Sequence, residues 1–275
     1  MLLGLAALVI LAGLSWFGNS VMQITRQTLS FKELPGGFRG YKIIQVSDLH
    51  GKRFGTGEKS LLQRIKPEKP DLIVITGDTV DKRNYDDSAI IELVHGLQGV
   101  APIYFVTGNH EWWTGNCDLL KKKLSKEGVL LLENNSMRLR RDDDEIALYG
   151  MEDPFSVNGD QDKYQYADQA LSAMKARGES EFAILLSHRP ELFRSYVKGG
   201  YDLVFSGHAH GGQIRLPVLG AVVAPNQGFF PKYTEGVYEE GATRMVVSRG
   251  LGNSIIPQRV FNRPELVVVT LEKGE

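Results

Sequence analysis

From Leu2 to Phe17 the chain reads LLGLAALVILAGLSWF, without a charge. Val21, Met22 and Ile24 prolong the apolar pattern past Asn19-Ser20. That length approaches the ~20 residues that cross a bilayer. No Lys or Arg precedes the run and no small-residue cleavage site follows it. It therefore reads as an uncleaved anchor over residues 1–24 rather than as a secretory signal or a buried core helix. Trp16 and Phe17 stand where interfacial aromatics hold such a segment, and Arg26, Lys32 and Arg39 follow it. The positive-inside rule then predicts a single-pass protein of the cell membrane with its main domain on the cytoplasmic side. Residues 25–40, ending in ELPGGFRG, read as a linker that reaches ~50 Å when fully extended. Residues 41–275 are left for the domain.

Within that domain short apolar runs alternate with helix-period segments. Strands are predicted at 41–47, 72–76, 103–107, 129–132, 136–140, 145–149, 182–187, 202–205, 244–248 and 266–271. Helices are predicted at 58–65, 87–97, 117–127, 167–176 and 189–198. The early strands are separated by helices, which argues for βαβ units and parallel pairing. The stretch MRLRRDDDEIALYG instead reads as an antiparallel hairpin with a solvated acidic turn. Lys121-Lys122-Lys123 reads as one wet helix face. A mixed α/β fold class follows.

Composition changes this picture little. Of 275 residues 42% are hydrophobic and 24% charged, and the net charge is −1. No overall field points to nucleic acid. The single cysteine, Cys117, excludes an internal disulfide framework and a thiolate metal cluster. Oligomeric state is not legible.

The chemistry gathers where the strands end. The first closes in VSDLHG, with Asp48 and His50; the second in TGDTVD, with Asp78 and Asp81. The third closes in TGNHEWW, with Asn109 and His110. LLSHRPE then gives His188, and SGHAHGG gives His208 and His210. Only His95 among the six histidines lies elsewhere, in a helix-like segment, as a surface or packing residue. Ligand sites in open α/β sheets collect at the carboxyl ends of strands. Imidazoles, carboxylates and one amide oxygen suit first-row divalent ions such as Mn, Fe or Zn. The donors exceed one tetrahedral site and suit two ions ~4 Å apart sharing a carboxylate. Such a site carries net positive charge and attracts an anion, a phosphate ester first of all.

As an ordered series, Asp48-x-His50, Gly77-Asp78-x-x-Asp81, Gly108-Asn109-His110-Glu111, His188 and Gly207-His208-x-His210 resemble the calcineurin-like metallophosphoesterases. The resemblance runs from about residue 41 to the end of the chain. It implies a four-layer α/β/β/α sandwich of two mixed sheets, here preceded by a transmembrane helix. It also implies that Asp48, His50 and His210 hold one metal, that Asn109, His188 and His208 hold a second, and that Asp78 bridges them. His110 would contact the phosphate and assist the leaving group, with Asp81 orienting it. A metal-bridging hydroxide would be the nucleophile. GHAHGGQIRLP, YTEGVY, VSRGLGNS and NRPELVVVTL resemble bacterial, often membrane-attached members. That subgroup implies a phosphodiesterase or a pyrophosphatase, with UDP-2,3-diacylglucosamine diphosphatase, phosphomonoesterase and protein phosphatase activity as alternatives, and a scaffold with a decayed site disfavoured. Gln213 and Arg215 lie beside the expected metal rim, Arg215 as a substrate contact or a salt bridge. Trp112, Trp113, Phe229 and Phe230 are candidates to meet an acyl chain, or ordinary packing.

Overall fold

The computed structural model describes residues 13, 15–158, 162–175, 182–212, 215–216, 220–253 and 258–275. Runs such as Leu-Ile-Val-Ile-Thr at 72–76 set its frame, because every residue of that run is buried. A strand apolar on both faces must be covered on both. In chain order the strands are β1 (Gln23–Phe31), β2 (Lys42–Val46), β3 (Leu72–Thr76), β4 (Ile103–Val106), β5 (Leu130–Leu131), β6 (Asn135–Arg141), β7 (Asp144–Gly150), β8 (Ala183–Leu186) and β9 (Leu203–Ser206). There follow β10 (Arg215–Leu216), β11 (Gly220–Ala221), β12 (Val223–Ala224), β13 (Gly228–Phe229), β14 (Gly236–Glu240), β15 (Thr243–Val247) and β16 (Glu265–Lys273).

Two six-stranded sheets result, ordered β1-β16-β2-β3-β4-β5 and β14-β15-β9-β8-β7-β6. In the first, only the β16–β2 pair is antiparallel. In the second, the outer pairs β14–β15 and β6–β7 are antiparallel and the inner ones parallel. Side-chain alternation separates the layers. Ile43, Leu72 and Val74 share the inter-sheet core with Leu148, Ile184, Leu186 and Phe205. Ile44, Ile73 and Ile75 face the other way, onto Leu61, Ile65, Leu93, Leu120 and Leu124 of the helices Lys59–Ile65, Ser88–Gly96 and Cys117–Lys126. Across the second sheet, Leu185, Val204 and Met245 meet Leu171, Met174, Phe193 and Tyr196 of Lys163–Lys175 and Phe193–Lys198. Each such buried aliphatic side chain contributes ~1.5–3 kcal/mol of transfer free energy. The order helix, sheet, sheet, helix follows, and the two mixed sheets stand as expected.

The amino-terminal region departs from the expectation. Residues 25–40 are not a linker. They form edge strand β1, paired in parallel with β16 from Gln23↔Glu265 to Phe31↔Lys273, and a 3-10 turn at Gly36–Phe38. The cause is that Leu29, Phe31, Leu34 and Phe38 are buried in the inter-sheet core. The expected anchor over 1–24 falls largely on residues 1–12 and 14, which lie outside the described residues. Among the described residues no helix is long and apolar enough to cross a membrane. Residues 15–20 are helical, but Met22 is buried in the domain core and Gln23 already starts β1. The helical segment is tied down as well. Asn19 donates to Gln258 Oε1 (3.1 Å), and Lys52 Nζ donates to the Asn19 carbonyl (2.6 Å). The chain therefore leaves residue 20 directly into the folded domain.

Lys121 also departs from expectation. It is buried, with Nζ 2.6 Å from both Glu133 Oε1 and Glu152 Oε1 and 4.7 Å from the Trp112 ring.

Candidate metal centre

The loops that follow β2, β3, β4, β8 and β9 turn inward together. Asp48, His50, Asp78, His208 and His210 all hold φ between 48° and 64°. This left-handed region costs non-glycine residues ~1–3 kcal/mol each and collects at functional sites. Asp and His tolerate it better than bulkier residues. The sharp turns aim successive strand-end side chains at one place. Glycine then lets the backbones close up. A Cβ on Gly108 would lie 2.3 Å from Asp78 Oδ1, and one on Gly207 would lie 2.0 Å from Ser47 Oγ and 2.3 Å from Asp48 Oδ2.

Two donor groups share a carboxylate, and a third, His50, Asp81 and His110, lies beside them. Asp48, His50, Asp78 and His210 bring one ligand atom each within 4.8 Å of one another, and so do Asp78, His188 and His208. Asp78 belongs to both. In the first, His210 Nε2 is 3.3 Å from Asp48 Oδ1, and His50 Nε2 is 3.7 Å from Asp78 Oδ2 and 3.1 Å from His210 Nε2. In the second, His188 Nε2 is 3.2 Å from Asp78 Oδ2, and His208 Nδ1 is 3.1 Å from His188 Nε2. Asn109 is buried beside them, and its Oδ1 has no hydrogen-bond partner among the described residues.

The electrostatics are those of a donor set. Burial pushes the His50 imidazole down to about 3 and holds His208 and His210 well below their ordinary value, so all three are neutral and offer lone pairs. Burial also pushes the Asp48 carboxyl up to about 7. Burial would likewise raise Asp78, but the charge and the hydrogen bond of His188 hold it well below the usual carboxylate range. For His188 burial opposes the proton, yet the Asp78 carboxylate outweighs it and raises the ring to about 10. Imidazole nitrogens facing each other at 3.1 Å, and an orphaned amide oxygen, are poor company for themselves and good company for divalent cations. The residues therefore fit metal ions.

Outer contacts fix these donors. His188 Nδ1–H donates to the Thr76 carbonyl (2.7 Å), which leaves Nε2 facing Asp78. Backbone N–H groups of His208 and His110 donate to Asp48 Oδ1 (3.0 Å) and Asp78 Oδ1 (2.8 Å). Glu111, to which sequence reasoning gave no role, ties two loops together. Its fully buried carboxylate accepts from the N–H of Asp78 (2.9 Å), Thr79 (2.6 Å) and Gly108 (2.8 Å), and from the Thr79 hydroxyl (2.8 Å). Its sequence signal is its place at the end of the motif Gly108-Asn109-His110-Glu111, which the structure puts in the first turn of the helix Asn109–Trp113. Asn262, also unanticipated, donates to the His210 carbonyl (2.6 Å).

One expected pairing is replaced. Asp81 gives its carboxylate to Arg83, through the backbone N–H (2.7 Å) and the guanidinium (2.7 and 3.0 Å). His110 Nδ1 accepts instead from the backbone N–H of Lys82 (3.2 Å). The neutral ring then carries its proton on Nε2. His110 stands edge-on to His50 and beside Trp113, with ring centroids 4.5 and 4.9 Å away. Asp78, Lys82, Asn109, His110, Trp113 and His208 line a cleft of about 170 Å³.

The peripheral candidates divide. Arg215 forms an ion pair with Glu235 (2.6 Å), in line with a structural salt bridge, and Gln213 lies outside the described residues. Trp112 is packing, its Nε1–H donating to Thr107 Oγ1 (3.1 Å). His95 is a surface residue, 2.9 Å from Glu127. Phe229 and Phe230 are exposed.

Residues 41–212 match the family model of the calcineurin-like phosphoesterases. The chain belongs to that family. The metallophosphoesterase is 33% identical over 257 residues to the uncharacterized metallophosphoesterase YkuE of Bacillus subtilis (strain 168), covering 92% of this chain and 86% of that protein. It is 27% identical over 272 residues to an uncharacterized metallophosphoesterase of Aquifex aeolicus (strain VF5), covering 96% of this chain and 97% of that one. A "transmembrane protein with metallophosphoesterase domain" of Danio rerio is 28% identical over 98% of this chain and 62% of its own length. Among solved structures, phosphopantetheinyl hydrolase (PptH) of Mycobacterium tuberculosis shares the fold, with a TM-score of 0.50 at 14% identity over 76% of this chain and 89% of that one. The metallophosphoesterase is a metal-dependent phosphoester hydrolase.

Proposed function

We propose that the metallophosphoesterase hydrolyses phosphodiesters or pyrophosphates at the cell membrane, its domain on the cytoplasmic side, with two divalent ions drawn from Mn, Fe and Zn. The observation that carries this reading is the shared carboxylate. Asp78 belongs to both donor groups, one with Asp48, His50 and His210, the other with His188 and His208. The first group would hold one ion and the second, with Asn109, the other. Bound there, the ions supply Lewis acidity at a phosphoryl oxygen and acidify a water.

The chain's own residues do the rest. His110 carries Nε2–H in the metal cleft because Lys82 N–H occupies Nδ1. Through Nε2–H the ring serves as a donor to a phosphoryl or leaving oxygen. Asp81 and Arg83 neutralise each other at the rim, while Lys82 keeps a positive charge against the Trp113 ring at 4.1 Å. A substrate oxygen beyond the scissile phosphoryl group would meet that cation. Support for the membrane comes from the apolar run ahead of the domain and from the printed name of the Danio rerio relative.

The test is a rate comparison on the full chain loaded with Mn²⁺. The substrates are p-nitrophenyl phosphate, bis(p-nitrophenyl) phosphate and a lipid-linked diphosphate in mixed micelles. A higher kcat/KM for the diester or the diphosphate than for the monoester is expected. Hydrolysis of the monoester alone, or turnover that survives metal stripping, would contradict the proposal.

A further inference from the structure

Large aromatic side chains stand exposed on the β12–β13 hairpin, on the segment 258–263 and on the helical residues 15–20. Phe229, Phe230 and Phe261 are 78%, 71% and 71% exposed, and Trp16 is 66% exposed. Single exposed phenylalanines need no explanation. These are connected. Phe17 and Phe261 line one groove of about 620 Å³ together with Arg259 and Arg263 and no acid. Arg263 stands 5.1 Å over the Phe17 ring. Val260, beside Phe261, accepts from the backbone N–H of Arg215 (3.1 Å), which joins this segment to the β10–β11 hairpin. Phe230 N–H in turn donates to the Val222 carbonyl (2.9 Å), closing the β12–β13 hairpin that follows.

That second hairpin also borders the metal cleft. Pro225 lines the cleft, and the Asn226 carboxamide stands 3.3 Å from His208 Nε2. Phe229 and Phe230 follow within four residues. The backbone of Phe230 and Phe261 is left-handed, at φ 51° and 50°, where a bulky side chain is uncommon. Both are held outward in strain rather than folded onto the core.

The chain itself indicates what covers this face. The groove is entered by Ser15, Phe17 and Gly18, and residues 2–12 immediately before them read LLGLAALVILA, without a polar side chain. A segment of that composition partitions to lipid, and the described residues that follow it in the chain, Ser15, Phe17 and Gly18, line this groove. Exposed Lys232 and the half-buried Arg263 add positive charge beside the aromatics, the combination that favours an anionic interface.

We propose that Trp16, Phe17, Phe229, Phe230 and Phe261, with Arg263 and Lys232, form a docking surface for an anionic lipid bilayer, placed so that the metal cleft opens at the membrane plane. Only the assignment of a lipid-borne substrate rests on the functional reading above; the docking itself does not. A polar cleft beside inserted aromatics would receive a phosphoester at headgroup depth while its acyl part stays in lipid.

The test uses the full chain. Cys117 is the sole cysteine and is buried, so Phe230→Cys accepts a bimane label selectively. Asp143→Cys, in the exposed β6–β7 turn, serves as the control. With mixed phosphatidylcholine–phosphatidylglycerol vesicles the label at 230 should shift to the blue and be quenched by brominated acyl chains, while the label at 143 stays in water. The variant F229S/F230S/F261S should keep the parent rate on soluble bis(p-nitrophenyl) phosphate and lose ~10-fold or more on a phosphodiester presented in vesicles. A label at 230 that remains in water with every vesicle overturns the proposal. So does a blue shift that needs no lipid and grows with protein concentration, which would mean contact between copies of the chain. Lipid embedding without hydrolysis of any phosphoester would uphold the docking and defeat the functional reading.

Discussion

Loading the metal-free protein with Mn²⁺ must drive protons off the site, and the structure fixes how many come from its ligands. His188 holds its proton up to about 10 because the Asp78 carboxylate outweighs its burial. At pH 7 that ring is almost fully protonated, and it must lose the proton to ligate. Asp48 is pushed up to about 7 by burial and is half protonated there. His50, His208 and His210 are already neutral and give up none. From these two ligands binding should therefore release ~1.5 protons at pH 7, ~2 at pH 6 and ~1 at pH 8.5, and any proton lost from a metal-bound water adds to that count. By linkage the apparent affinity rises with pH, the slope of log K against pH equalling the number released. Titration calorimetry in buffers of different ionisation enthalpy reads that number directly. His188→Asn should lower the count at pH 8.5, where Asp48 is ionised, while at pH 7 the lost His188 charge lets Asp48 hold its proton more tightly and partly masks the change. Release near zero across the range, or a count at pH 8.5 unchanged in His188→Asn, would refute the assignment of His188 as a protonated ligand in waiting.

Three further outcomes follow from the geometry. His110→Ala should keep metal affinity and lose ~10²–10⁴-fold in kcat, since it deletes a donor and no ligand; metal loss measured in the same preparation would contradict it. Gly207→Ala places a Cβ 2.0 Å from Ser47 Oγ and should destabilise the fold by ~1–3 kcal/mol, read as a lowered Tm, with weaker metal binding because Asp48 must move. In Glu111→Gln either orientation of the amide turns NH₂ on a pair of the donors that the carboxylate now accepts from. Metal affinity should then fall ~10–100-fold, checked by calorimetry.

The central strands were legible because burial on both faces forces uninterrupted apolar runs, as in β3, whose bounds the pattern predicts to the residue. The edges were not. β1, with the sequence QITRQTLSF, buries only Leu29 and Phe31 and shows polar residues between them, so its strand character depends on pairing with β16, more than 230 residues away. β14 fails for the same reason, its GVYEE being half-exposed. The site was legible as a set of residue types at strand ends, since donors must be polar where the pattern is otherwise apolar. What the sequence could not show was how second contacts are shared out. Asp81 turns to Arg83 and His110 to a backbone N–H, and Lys121 goes inside because Glu133 and Glu152 meet it there. These choices depend on distances that no spacing encodes.

The central claim is that Asp78 is shared between two cations, and anomalous scattering from crystals of the Mn²⁺-loaded protein measures it. Two peaks ~3.5–4 Å apart are predicted, one among Asp48, His50 and His210 and the other among Asn109, His188 and His208, with Asp78 reaching both. A single peak, or two that do not share Asp78, would contradict the account.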